Sequence, residues 1–148
     1  MSKTLSFRGI LDMGVQQKIK LSTIKGKTGY KITKFQILSE TPGNIAHVEF
    51  VAKIYAKSQT SFPATVDFTE SDLLAAAYYQ DHTNTGTGDS VTVIFDNNTF
   101  NQDIFIYCED AGGSTARCNY YFELETVALS DIESTQLTLK SLRNLASR

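Results

Sequence analysis

Apolar and polar residues alternate with a period of two along most of this chain, and each such stretch predicts a β-strand with one face turned inward. In "QKIKLSTI" (17–24), Lys18, Lys20 and Ser22 alternate with Ile19, Leu21 and Thr23. "GKTGYKITKFQIL" follows, with Gly26 and Gly29 as turn residues and a strand expected from Tyr30 to Leu38. Its alternation slips near Lys34 and Phe35, which predicts a bulge or a strand covered on both faces. "TPGN" (41–44) reads as a turn, because Pro42 fixes φ and Gly43 can supply a positive one. "HVEFVAKIY" (47–55) then places Val48, Phe50, Ala52 and Ile54 on one face, and these early segments together predict an antiparallel meander. Farther on, "VTVIFD" (91–96) and "DIFIYCED" (103–110) predict two strands joined by a turn, and a last strand runs from about Cys118 to Leu129.

Two stretches break this rhythm. "TESDLLAAAYY" (69–79) offers Thr69, Ser71 and Asp72 as caps before the densest helix-forming run in the chain, and predicts a short helix crossing one end of the sheet. "SDIESTQLTLKSLRNLASR" (130–148) opens with a capping box, Ser130 with Glu133 three residues on, each able to satisfy the other's backbone donor. Ile132, Leu139, Leu142, Leu145 and Ala146 then fall on one helical stripe, with Leu137 off it. Lys140, Arg143 and Arg148 lie towards the end where positive charge suits the helix dipole. "TQLTLKS" also alternates, so a strand stands there as the alternative to the preferred helix. The expected organisation is a β domain over 1–129 and a C-terminal helix or arm over 130–148.

Length and composition agree with a mainly β globular fold. The chain has 148 residues, 41% of them apolar and 20% charged, enough to bury a core without staples. No run approaches the ~18 apolar residues of a membrane span. The first residues lack the apolar core of a secretory signal, so the expectation is a protein made and kept on the cytosolic side of its producing cell. The net charge of −2 hides a separation: residues 1–57 sum to +7 and residues 58–148 to −9. Nucleic-acid binding is disfavoured, because the basic residues alternate with apolar ones as on a solvated strand face, and the acidic remainder repels phosphate. Complementary contacts between neighbouring copies use the same asymmetry.

No catalytic, cofactor or metal site is expected. Cys108 and Cys118 flank "EDAGGSTAR", and a hairpin centred on Gly113 would set them opposite each other, close to but not at disulfide distance. Without an export signal, reduced, half-buried thiols are favoured over a crosslink. Neither cysteine has zinc-ligand spacing, and only two histidines, His47 and His82, are present. "KGKTGYK" lacks the glycine a phosphate-binding loop needs, since Leu21 stands there. "DHTNTGTGD" (81–89) has Thr where a calcium loop wants acids or Asn, and reads as a solvated loop whose tip suits a partner contact. The tyrosines Tyr78, Tyr79, Tyr107, Tyr120 and Tyr121 exceed what one small core needs, and fit a core rim or a subunit interface equally well.

At "VDFTESDLLAAAYYQD" and "CNYYFELETVALSDIESTQLTLKSLRNLASR" the sequence resembles small virion structural proteins of tailed bacteriophages, particularly those of marine hosts. The likeness covers the middle and last third of the chain and rests on order and composition: sheet, short helix, aromatic final strand, Leu-rich basic tail. It implies a compact antiparallel β-sandwich, jelly-roll-like, without catalytic activity, and present in many copies on the virion. The most concrete expectation is a capsid decoration or cement protein that binds the major capsid protein as a homo-oligomer, a trimer being one arrangement. Expected partner contacts are Tyr78, Tyr79, Tyr121, Leu139, Leu142, Arg143 and Leu145. The alternatives are a tail, neck or fibre-associated component, or a carbohydrate-binding sandwich using Tyr78, Tyr79 or the 81–90 loop.

Overall fold

Apolar faces generated by a period of two must be buried in pairs, and here two antiparallel sheets bury theirs against each other. The computed structural model describes residues 3–21, 27–42, 48–81, 89–95, 98–112 and 116–146. Its elements are β1 (Thr4–Leu11), β2 (Gln17–Ile19), β3 (Thr28–Ser39), β4 (Val48–Tyr55), β5 (Leu73–Asp81), β6 (Asp89–Ile94), β7 (Ile104–Asp110), β8 (Cys118–Ala128) and α1 (Asp131–Ala146). One sheet has the order β1-β8-β3 and the other β2-β7-β4-β5-β6. The expected antiparallel β-sandwich is therefore present.

The connections differ from the expected meander. β2, β3 and β4 alternate between the two sheets, so each early turn crosses the sandwich instead of forming a hairpin. β6 and β7 are not neighbours either, because β5 and β4 lie between them. Alternation in a sequence fixes which face a residue presents, and it carries no information about which strand sits beside it.

The inner faces follow the sequence pattern closely. Val48, Phe50, Ala52 and Ile54 of β4 point into the core, where Tyr120, Phe122 and Leu124 of β8 meet them. Phe122 stacks on Phe7 at 5.2 Å between ring centroids and on Tyr120 at 5.8 Å. Gly9 lies opposite Tyr120, so close that a Cβ there would come within 2.7 Å of the phenol oxygen. The slip near Lys34 is a bulge between Ile32 and Lys34 in the β3–β8 ladder.

The short helix expected over 69–79 is instead strand β5, preceded by turns. Asp67 accepts hydrogen bonds from the Thr69 N–H at 2.9 Å and the Thr69 hydroxyl at 2.6 Å, so this polar chemistry closes a turn. "LLAAAYY" pairs with β4 on one side and β6 on the other, and most of it is buried on both faces. A strand covered twice reads as an unbroken apolar run, which periodicity does not distinguish from a buried helix.

The second covering layer is the connection 56–72. It lies on the outer face of the larger sheet, where Tyr55, Leu73 and Tyr107 form a separate cluster with Phe62 and Phe95. At the other end, α1 keeps its capping box: the Ser130 N–H reaches Glu133 Oε1 at 3.3 Å and the Glu133 N–H reaches Ser130 Oγ at 3.2 Å. Asn101, fully buried, donates from Nδ2 to the Ser134 carbonyl at 3.2 Å and to Thr138 Oγ1 at 3.1 Å. The docked face is thus Ser134, Leu137 and Thr138, while Ile132 and Leu139 on the expected stripe are 72% and 53% exposed.

Candidate functional site

Charge separated along the sequence is largely brought together by the strand order. β8 is acidic and lies between β1 and β3 from the basic half, so Lys34 stands opposite Glu123 and Lys31 opposite Glu125. Lys18 pairs with Asp103 at 3.3 Å, Lys27 with Asp131 at 3.0 Å and Lys31 with Glu125 at 4.0 Å. Arg117 bonds Glu40 through both Nε and Nη2, and these hydrogen bonds hold the Glu40 carboxyl below its ordinary range. Each pair joins the basic half to the acidic half within one molecule.

The two cysteines do not share a hairpin. Cys108 pairs with Ala52 in the larger sheet, and Cys118 pairs with Leu11 and Ser39 in the smaller one. They meet across the interior, both fully buried and both free thiols. Cys118 beside it and then burial push the Cys108 thiol up, so it is held neutral.

Lys53 is the unexpected residue. It falls on the outer face of β4, where the alternation predicts a solvated lysine, yet it is only 1% exposed beneath the 56–72 segment. Its Nζ donates to the Thr65 carbonyl and lies 5.6 Å from the Tyr55 ring centroid and 5.3 Å from that of Tyr107. The two rings stack at 6.0 Å. Tyr107 donates its hydroxyl to the Pro63 carbonyl at 3.2 Å, and Tyr55 donates to Glu70 Oε1 at 3.3 Å. Burial lowers the Lys53 pKa and raises that of Tyr55, and it pushes Tyr107 up to about 12. The arrangement fastens the connection onto the sheet; the lysine is walled in by protein.

Open space of about 810 Å³ lies between the small sheet and the overhanging edge of the large one. Six consecutive β3 residues, Thr33 to Leu38, line one wall, and Ser90, Thr92 and Ile94 of β6 line the other. Lys34 is the single charged residue among the described lining residues, and it sits 5.8 Å over the Tyr121 ring. This groove was not legible in the sequence, because it arises from strand order.

Of the expected contact residues, Tyr78 and Tyr121 both line this groove, whereas Tyr79 and Leu139 lie elsewhere. Tyr78 is half-buried on the outer face of the larger sheet, in register with Val51 and Val91. Tyr79 is turned into the core, 6.2 Å from Phe50, with its hydroxyl on Asp81, so a sugar platform of Tyr78 and Tyr79 together is not formed. Tyr121 lies on the outer face of the smaller sheet and donates its hydroxyl to Glu123. Leu139 is exposed on α1, and the side chains of Leu142, Arg143 and Leu145 in its last turns lie outside the described residues. His47, His82, Gly113, most of the 81–89 loop and half of the "TPGN" turn also lie outside them. Among the described residues, no group of three or more His, Cys, Asp or Glu could hold a metal ion, and no helix is long and apolar enough to cross a membrane. No known family model matches the chain, and no curated protein matches it.

Proposed function

We propose that this protein is a structural subunit of a tailed-bacteriophage particle: a decoration or cement protein that binds the major capsid protein, reinforces the head lattice and carries out no reaction. The observation that carries the reading is how the chain is wound. Folding the strand order back on itself at the β4–β5 turn puts β1 with β8, β2 with β7 and β4 with β5, and all three pairs are hydrogen-bonded and antiparallel. That winding is the one expected of an eight-stranded jelly roll, with β6 moved from the side of β3 to the edge beside β5. Jelly rolls recur in viral capsid proteins and in lectins, so fold alone does not decide between them. The inward turn of Tyr79 removes half of the sugar platform the sequence suggested, and this favours the virion role.

The exposed Ile132 and Leu139 on a helix fixed by Asn101 give the particle a rigid apolar contact at the C-terminal end. Weak contacts of this kind suffice when many copies engage one lattice. Mixing the purified protein with empty heads that lack it tests the proposal. Saturable binding and greater resistance of the heads to heat or low ionic strength are expected, and Ile132→Asp with Leu139→Asp should weaken both. Co-purification with tails instead of heads, or a saturable hit on a glycan array, would replace the reading.

A further inference from the structure

Two strand edges face the groove from opposite sides. Along β3, the Glu40 N–H donates to the Arg117 carbonyl at 3.0 Å, on the β8 side. The register from Lys34 to Ser39 is unbroken, so residues 34, 36 and 38 also bond β8, and Phe35 and Ile37 turn their N–H and C=O groups to the groove. Along β6, the Phe95 N–H donates to the Leu74 carbonyl at 3.0 Å, so by the same alternation Ser90, Thr92 and Ile94 turn theirs away from β5. Both rows belong to edge strands, β3 of the smaller sheet and β6 of the larger. A strand takes ~5 Å by ~10 Å in section and advances ~3.3 Å per residue, so the open volume of about 810 Å³ holds about five residues.

The chain itself shows what fits beside β3. Before the bulge, Tyr30 exchanges two backbone bonds with Phe100, at 2.7 and 3.0 Å, in an isolated antiparallel bridge. Single-strand backbone thus already occupies the lane next to β3 at Tyr30, and from Thr33 to Leu38 that lane is open. Because β6 stands across the groove, the occupant is a segment free on both of its own edges, not the edge of another sheet. An extended polypeptide meets this condition, since it offers donors and acceptors at the strand repeat to both sides. A glycan finds less here: the Tyr120 ring stacks on Phe122 and its hydroxyl bonds Gln17, while the Tyr121 ring lies under Lys34. Inward residues of an added strand would lie between Phe35 and Ile37 on one side and Ile94 on the other, which selects apolar side chains. Outward residues would pass Lys34, the single charge among the described lining residues, which selects a carboxylate.

We infer that the groove receives an extended segment of a partner polypeptide as an added strand, antiparallel to β3, with apolar residues inward and a carboxylate beside Lys34. The added strand continues the lane that Phe100 begins and bonds the edges of both sheets. The inference deepens the virion reading and rests on it only for the source of the segment, an extended arm of the capsid protein.

The probe is a fluorescein-labelled, end-blocked peptide, Thr-Val-Thr-Val-Glu-Val-Thr, titrated with the full chain and followed by anisotropy. Saturable binding is expected, with slowed amide exchange at Phe35 and Ile37. N-methylation of alternate peptide residues should abolish it. Replacing Glu by Lys in the peptide should weaken binding ~3-fold or more, and Lys34→Glu in the protein should reverse that preference. Thr92→Trp, at an exposed position on β6, fills the groove and should weaken binding at least ~10-fold with an unchanged far-ultraviolet circular dichroism spectrum. Absence of saturable binding, binding untouched by Thr92→Trp, or equal affinity for the Glu and Lys peptides would overturn the added strand. So would a neutral oligosaccharide that binds saturably and is lost in Thr92→Trp. A Thr92→Trp protein that binds empty heads as tightly as the parent would overturn the capsid arm as occupant and leave the virion role standing. Peptide binding by a protein that ignores heads would sink the virion role and leave the added strand standing.

Discussion

Replacing Lys53 separates two things its side chain does, because one substitution removes only the charge and another removes the packed stem as well. The ammonium makes one charged hydrogen bond, to Thr65, worth ~1.5–3 kcal/mol, and lies over two tyrosine rings worth ~0.5–2 kcal/mol each. Against that stands the effective desolvation of a buried cation, several kcal/mol. These nearly cancel, so Lys53→Met, which keeps the stem and removes the charge, should change stability by no more than ~1 kcal/mol. Lys53→Ala also removes the methylenes packed beneath the 56–72 segment and leaves a cavity, for a loss of about 2–4 kcal/mol.

The pH dependence gives a second readout. Burial lowers the lysine's folded pKa below its ordinary 10.5. Between those two values the unfolded chain binds more protons than the folded one, so stability rises with pH through that window. Urea denaturation of both proteins at increasing pH below 10.5 isolates this contribution, because every other titrating group is shared: the stability of the parent relative to Lys53→Met should rise with pH. Equal losses in the Met and Ala variants, or the same pH slope in parent and Met variant, would refute the reasoning.

Tyr107 gives the opposite sign at higher pH: the unfolded phenol ionises near 10 while the folded one holds its proton to about 12, so stability falls as pH rises between them. Tyr107→Phe should flatten that alkaline loss, as followed by circular dichroism. Gly9→Ala should destabilise by about 1–3 kcal/mol in urea melts, because the added methyl meets the Tyr120 ring, and Gly9→Ala with Tyr120→Leu should recover part of the loss. Ser130→Ala should cost ~1 kcal/mol and fray the start of α1, measured as faster amide exchange at Glu133, with no change in the sheets. Ellman's reagent should leave Cys108 and Cys118 unmodified in the folded protein and label both in urea.

Facing and local chemistry were legible in the sequence; adjacency was not. The inner row of β4, the bulge in β3, the extent of β8 and the Ser130–Glu133 box all depend on residues within a few positions of one another, and each appears as the pattern predicts. The failures all involve distant partners. Helix-forming residues became β5 because two neighbouring strands and a covering layer outweighed local propensity. Lys53 looked solvated because nothing near it in sequence shows that residues 56–72 will lie across it. Cys108 and Cys118, with nine residues between them, ended in opposite sheets because the chain between them crosses the sandwich. Tyr79 left the expected contact set for the same reason: alternation assigns Tyr78 and Tyr79 to opposite faces, and only the layering decides which face is outside.

The position of β8 also constrains how the protein is born. Both of its neighbours, β1 and β3, come from the first 39 residues, and β8 begins only at Cys118. On a ribosome adding ~5–20 residues per second, β1 and β3 therefore wait about 4–16 s for the strand that joins them. During that interval their apolar rows have no sheet to enter. Yield at high expression should hinge on what shelters those two strands until the last third of the polypeptide emerges.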